Sequence, residues 1–195
     1  LILAGERKLS LDDPVADYLP ELDVERWQGI TLEHLITHTT GLPFSLIVGR
    51  DLSELEDIRE VAALGATYDL AFEAGTAFEY SDQGSDTLTA VVEVVSGMSA
   101  EEFVRTRILE PLEMRDSTCL MVDDHPLRER ALPKYVGTKG DWTRFWAPDQ
   151  PSLFPFFLGS QGLYATLEDY AKFMDCWRRK GRAPSGRVIP ARYVR

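Results

Sequence analysis

Asparagine is missing from all 195 residues, which excludes N-glycosylation of this stretch. Cysteine is scarce: Cys119 and Cys176 stand far apart, with no Cys-x-x-Cys. That leaves no zinc ribbon and no redox pair. The spacing admits one disulfide, and two buried free thiols are the expectation. No apolar run approaches the ~18 residues of a membrane-spanning helix. The sequence opens on Leu1 with no methionine and no basic-then-apolar pattern, so the natural start is expected upstream. The compartment is therefore unknown, with periplasmic, secreted and cytoplasmic all open. Bases are few, at 21 Lys and Arg against 32 Asp and Glu, for a net charge of −11. Residues 1–104 hold 21 acids and only 5 bases. Such a half repels a phosphate backbone, which argues against nucleic acid as a partner. The opposite bias, seven bases and no acid from Arg178 to Arg195, reads as a solvated helix end and loop.

Histidine is limited to His34, His38 and His125. The first two have the spacing of a metal pair on a helix. Leu35 follows His34, however, where a zinc protease needs glutamate, and no nearby acid makes a third ligand. No metal and no cofactor are expected. His38 is expected to hydrogen-bond the turn Thr39-Thr40-Gly41, and His125 to lie on the surface.

What is present suits an ordinary globular domain: 44% hydrophobic and 27% charged residues, in a chain long enough for a core. Asp12-Asp13-Pro14 reads as a cap and first turn of a short helix that Pro20 ends. Thr31 caps a second helix, with Leu32, Leu35 and Ile36 inward and Gly41 as its stop. Ser53-x-x-Glu56 reads as a capping box before a stripe of Leu55, Ile58, Val61 and Ala62 that ends at Gly65. A longer helix is predicted from just after Gly84 to Gly97, carrying Leu88, Val91, Val92 and Val95 on one face. Ser99-x-x-Glu102 opens another, with Phe103 and Ile108 inside and Pro111 as terminator. The last long helix starts at Thr166, is lined by Ala171, Phe173, Met174 and Trp177, and closes at Gly181. Between Pro111 and Leu158 no period holds, so loops and short strands are expected there. Helix should exceed strand.

The chemistry-bearing stretch is Phe78-Glu79-Tyr80-Ser81-Asp82-Gln83-Gly84, introduced by Gly75-Thr76. A phenol titrates near ~10 and is a poor base at pH 7. A neighbouring ammonium stabilises the phenolate and makes it a proton acceptor. Asp82, two residues on, is placed to orient a lysine or a substrate amide. Alternatively Tyr80 packs and Asp82 caps the following helix. Phe154, Phe156, Phe157, Trp142 and Trp146 could line an acyl pocket or anchor loops.

Five blocks share an order with a known family. They are Leu9-Ser10-Leu11-Asp12-Asp13-Pro14-Val15; Ile30 to Pro43, with Leu35-Ile36-Thr37-His38-Thr39-Thr40-Gly41-Leu42 at its centre; Gly75 to Ser81; Phe103 to Met114; and Gly162 to Phe173. This set resembles the penicillin-recognising serine hydrolases: class C β-lactamases, DD-peptidases and related esterases. The resemblance implies an α+β, β-lactamase/transpeptidase-like fold, a helical region beside an antiparallel sheet flanked by helices. It implies a small-molecule ester or amide substrate and an acyl-enzyme on a serine. Tyr80 would take the serine's proton and Asp82 would orient groups beside it.

The departures matter equally. The family's nucleophile lies in Ser-x-x-Lys, yet Gly5, Ala131, Val136, Asp169 and Trp177 stand three positions before the five lysines. Its third motif, Lys-Thr-Gly or His-x-Gly, is absent too. Lys139-Gly140 lacks the middle threonine, and Glu113 stands where glycine is usual. By resemblance, residues 1–195 form a single but incomplete domain, with the first motif before Leu1 and the third after Arg195. The sheet, which takes strands from both chain ends, would need further segments or a partner chain to be completed. Asp82 replaces the usual asparagine, and a carboxylate accepts hydrogen bonds without donating them. That ranks esterase ahead of DD-peptidase and β-lactamase. A non-catalytic relative that binds a peptide or protein partner is the alternative.

Overall fold

The computed structural model describes residues 1–47 and 50–194. The basic end of the chain is therefore seen only to Val194, and Arg195 lies outside the described residues. Among the described residues six α-helices run in chain order: α1 (Ile2–Gly5), α2 (Leu32–Ile36), α3 (Ile58–Ala63), α4 (Asp82–Ser96), α5 (Ala100–Val104) and α6 (Leu167–Arg178). Helix α5 continues into a π-helical stretch, Arg105–Leu109. Strands are few. β1 (Lys134–Thr138) and β2 (Asp141–Trp146) form an antiparallel hairpin with a register shift at Lys134/Tyr135. β3 (Arg182–Ala183) pairs with β4 (Gly186–Arg187). Helix exceeds strand, as the sequence predicts.

Local chemistry fixes the helix ends. Ser81 Oγ accepts from Gly84 N at 3.1 Å, so α4 begins at Asp82, three residues before the predicted start. Gly97, at φ 70°, stops it in the left-handed region that glycine enters without strain. Thr31 caps α2 in a reciprocal box with His34. That helix ends at Thr37 ahead of His38 (φ 54°) rather than at Gly41, and Ile36 is exposed instead of inward. Asp57, not Ser53, caps α3: its Oδ1 accepts from Arg59 N and Glu60 N at 2.8 and 3.1 Å. Pro14 and Pro20 each introduce a short 3-10 turn, so Pro20 opens the next turn as it closes the first.

Helix α4 is the structural axis and packs against α1, α2, α3 and α5. One core gathers around it, including Leu19, Trp27, Leu35, Ile58, Val61, Val91 and Leu158. Gln83 is buried inside α4 and donates to Val61 O and Ala62 O at 2.8 and 3.1 Å. It thereby satisfies carbonyls that the end of α3 leaves open. A second, smaller core holds Leu109, Leu112, Met114, Cys176, Ala183 and Ile189. Helix α6 turns Cys176 and Asp169 inward, with Phe173 and Trp177 half-buried. Ala171 and Met174, predicted to line it, face outward beside Leu167 and Tyr170. Both cysteines are free and buried, matching the expectation. Burial, joined by the Glu101 charge, pushes the Cys119 thiol up to about 12, and burial raises Cys176 as well.

Candidate active site

The segment bearing Tyr80 is tied residue by residue to the loop after α2. Glu79 N donates to His38 O at 3.0 Å, and Asp82 N donates to Phe44 O at 2.6 Å. Ser81 Oγ donates to Pro43 O at 2.7 Å, and Ser81 N donates to His38 Nδ1 at 3.3 Å. His38 therefore serves the Tyr80 segment rather than the turn that follows it in sequence. The His38 ring lies 4.7 Å from the Tyr80 ring, and Phe44 lies 5.9 Å away on its own contact. Held between them, Tyr80 stays 44% exposed. His34 spends its Nδ1 on Thr31 N. Among the described residues no group of three or more His, Cys, Asp or Glu is placed to hold a metal.

Below Tyr80, the first turns of α4 present two carboxylates four residues apart, Asp82 and Asp86, at 4% and 1% exposure. The turn Gly159-Ser160-Gln161 closes over them. Ser160 N and Oγ donate to Asp86 at 3.0 and 3.1 Å, and Gln161 Nε2 donates to Asp82 Oδ2 at 3.3 Å. Only glycine fits at 159: a Cβ there would stand 2.0 Å from Thr89 Oγ1 and 2.7 Å from Ser85 O. Asp86, Ser160 and Gln161 carry no motif of their own and were not singled out by the sequence.

Among the described residues no cation offsets these charges. Burial raises the Asp86 carboxyl to about 6, against the Ser160 and Gly159 hydrogen bonds, and Asp82 adds to the rise. The Tyr80 phenol is likewise pushed above its ordinary value, by burial first and then by Asp82 and Asp86. This direction is opposite to what a proton acceptor at neutral pH needs.

Gln161 also forms part of the wall of a cleft of about 760 Å³, which Tyr80 does not line. Phe154 belongs to that wall as well. Trp146 is buried and donates through its indole to Pro151 O at 3.0 Å, anchoring a loop. Phe156 packs on the main core, Phe157 lines a different groove, and Trp142 stands 59% exposed on the hairpin. His125 is partly covered, its Nδ1 accepting from Leu127 N.

Comparison with known proteins follows the same outline. The family model described as Beta-lactamase matches residues 1–193. Esterase EstB of Burkholderia gladioli is 29% identical, over 91% of this chain and 53% of its own length. Penicillin-binding protein 4 of Amycolatopsis lactamdurans is 30% identical, over 98% of this chain and 50% of its own length. The chain thus spans about half the length of these relatives. Among solved structures, the octameric penicillin-binding protein homologue from Pyrococcus abyssi superposes with a TM-score of 0.73 at 27% identity, covering 99% of this chain and 44% of that one.

Proposed function

Because this chain belongs to the beta-lactamase family, we propose that it contributes the tyrosine side of a serine hydrolase site whose nucleophile lies outside residues 1–195. The carrying observation is the imbalance around Tyr80: two buried carboxylates, a phenol raised by burial and then by their charge, and no cation among the described residues. An ammonium delivered beside Tyr80 is drawn by these carboxylates and reverses the field on the phenol. Tyr80 then accepts the serine proton as the serine oxygen bonds the substrate carbonyl carbon. The tetrahedral oxyanion collapses, the C–O bond to the alcohol breaks, and Tyr80 returns the proton to the leaving oxygen. Water releases the acyl group by the same route.

Asp82 accepts from Gln161 and has no hydrogen to offer a substrate carbonyl when ionised. This favours esters over the amides of DD-peptidase and β-lactamase chemistry. Two surfaces support further polypeptide completing the domain. One is an apolar groove of about 420 Å³ between α1, α4, α5 and α6. The other is the outward row Leu167, Tyr170 and Met174 on α6.

The test uses two proteins. The 195-residue chain should give no burst with an activated ester. A longer protein with Ser-x-x-Lys ahead of Leu1 should give a stoichiometric one. Tyr80→Phe in the longer protein should lower kcat by ~10²–10⁴-fold. A loss under tenfold, or a burst from the short chain that a serine-directed inhibitor abolishes, refutes the reading.

A further inference from the structure

The cleft beside Gln161 is apolar where it is open. Val136 and Phe145 of the β1–β2 hairpin both line it and are 59% and 45% exposed. They meet Phe154, Leu52 and Ile47 across the space. Exposed apolar groups gathered in a concavity, rather than scattered, mark a binding surface. Its volume, about 760 Å³, lies in the range of small-molecule sites. Among the described residues on its wall, the charged ones are Arg50 and Asp51, neighbours of opposite sign.

The hairpin is rooted firmly enough to hold that wall. An isolated two-stranded hairpin is marginal in water, but this one ends on buried Trp146. At its other root the Lys134 ammonium sits 5.7, 5.6 and 4.4 Å from the Trp146, Phe154 and Tyr164 rings and donates to Tyr164 Oη at 3.0 Å. One cation therefore fixes both the hairpin root and Phe154. The cleft joins the acidic site through Gln161, whose amide donates to Asp82.

We propose that this cleft takes the acyl chain of a neutral, apolar ester, and that Val136, Phe145 and Phe154 set the preferred length. The proposal rests on the hydrolase reading for its catalytic meaning and is tested so that the two can fail separately. In the longer protein, kcat/KM for p-nitrophenyl esters should rise about fourfold per methylene from acetate to hexanoate, the value of burying each CH₂. Val136→Ser and Phe145→Ser, both exposed and outside the acidic site, should flatten that slope by costing hexanoate more than acetate. A flat or falling series, with acetate still hydrolysed in a Tyr80-dependent way, overturns the proposal and spares the hydrolase reading. If no ester is hydrolysed, the hydrolase reading fails and binding decides. Titration with 2-octanone, a neutral carbonyl compound that cannot be hydrolysed, should shift the Val136 methyl resonances where acetone does not. Absence of that shift overturns the proposal.

Discussion

Enclosure under the Ser160 turn changes what Asp86 does between pH 4 and 6. Its carboxyl is raised from 3.8 to about 6, chiefly by burial. The folded chain therefore keeps a proton that the unfolded chain has released. Stability from this group is complete below the unfolded value and falls as pH rises through about 6. A shift of about two units corresponds to ~3 kcal/mol across that window. Asp86→Asn stays neutral and should remove the dependence. Urea unfolding at pH 4.5 and 7.5 should show the variant gaining on the parent as pH rises. A pH-independent difference would mean that Asp86 is solvated. The sequence singles out Tyr80 and Asp82 because their spacing is local, and their catalytic role is a proposal. Asp86, Gln161 and His38 were not: their partners lie 74, 79 and 43 residues away. In a helix within an acidic half, Asp86 also looks like one more solvated carboxylate.

The same distinction explains which elements could be read. Helices α4 and α6 announce themselves by three-four spacing, and α6 also by its start at Thr166; both formed, with Ser81 capping α4 where the sequence offers Asp82. The stretch from Pro111 to Leu158 shows no period because much of its order comes from one side chain. Arg128, 8% exposed, donates to the carbonyls of Pro148, Met121, Val122 and Gln150 and lies 3.4 Å from Asp123. A guanidinium can serve several carbonyls at fixed angles, while an ammonium of the same charge cannot. Arg128→Lys should therefore destabilise the chain by ~2 kcal/mol or more, since buried carbonyls lose their donors. Thermal unfolding measures this. A loss below ~0.5 kcal/mol would show that water replaces the guanidinium without penalty. The outward turn of Ala171 and Met174 has a plainer cause. An apolar residue at helical spacing shows that a face is apolar, and does not say what stands opposite it.

For the molecule as a whole, five ordered sequence blocks carried the fold class, and periodicity alone would not have reached it. The β-lactamase-like architecture has its helices here, while the described sheet is confined to two short hairpins. None of the described helices is long and apolar enough to cross a membrane. Packing is divided between the large core around α4 and the smaller one around Cys176.

That division gives the two shuttered sulfurs a use as built-in stopwatches. Neither Cys119 nor Cys176 can meet a disulfide reagent such as Ellman's until its surroundings part, so each labelling rate reports a separate opening event. Cys176 lies in the smaller core and should be modified first, while Cys119 waits for the seam between the Glu101 backbone and the Gly162 segment to come apart. Equal rates would instead reveal one cooperative shell, with no part of the molecule loosening ahead of the rest.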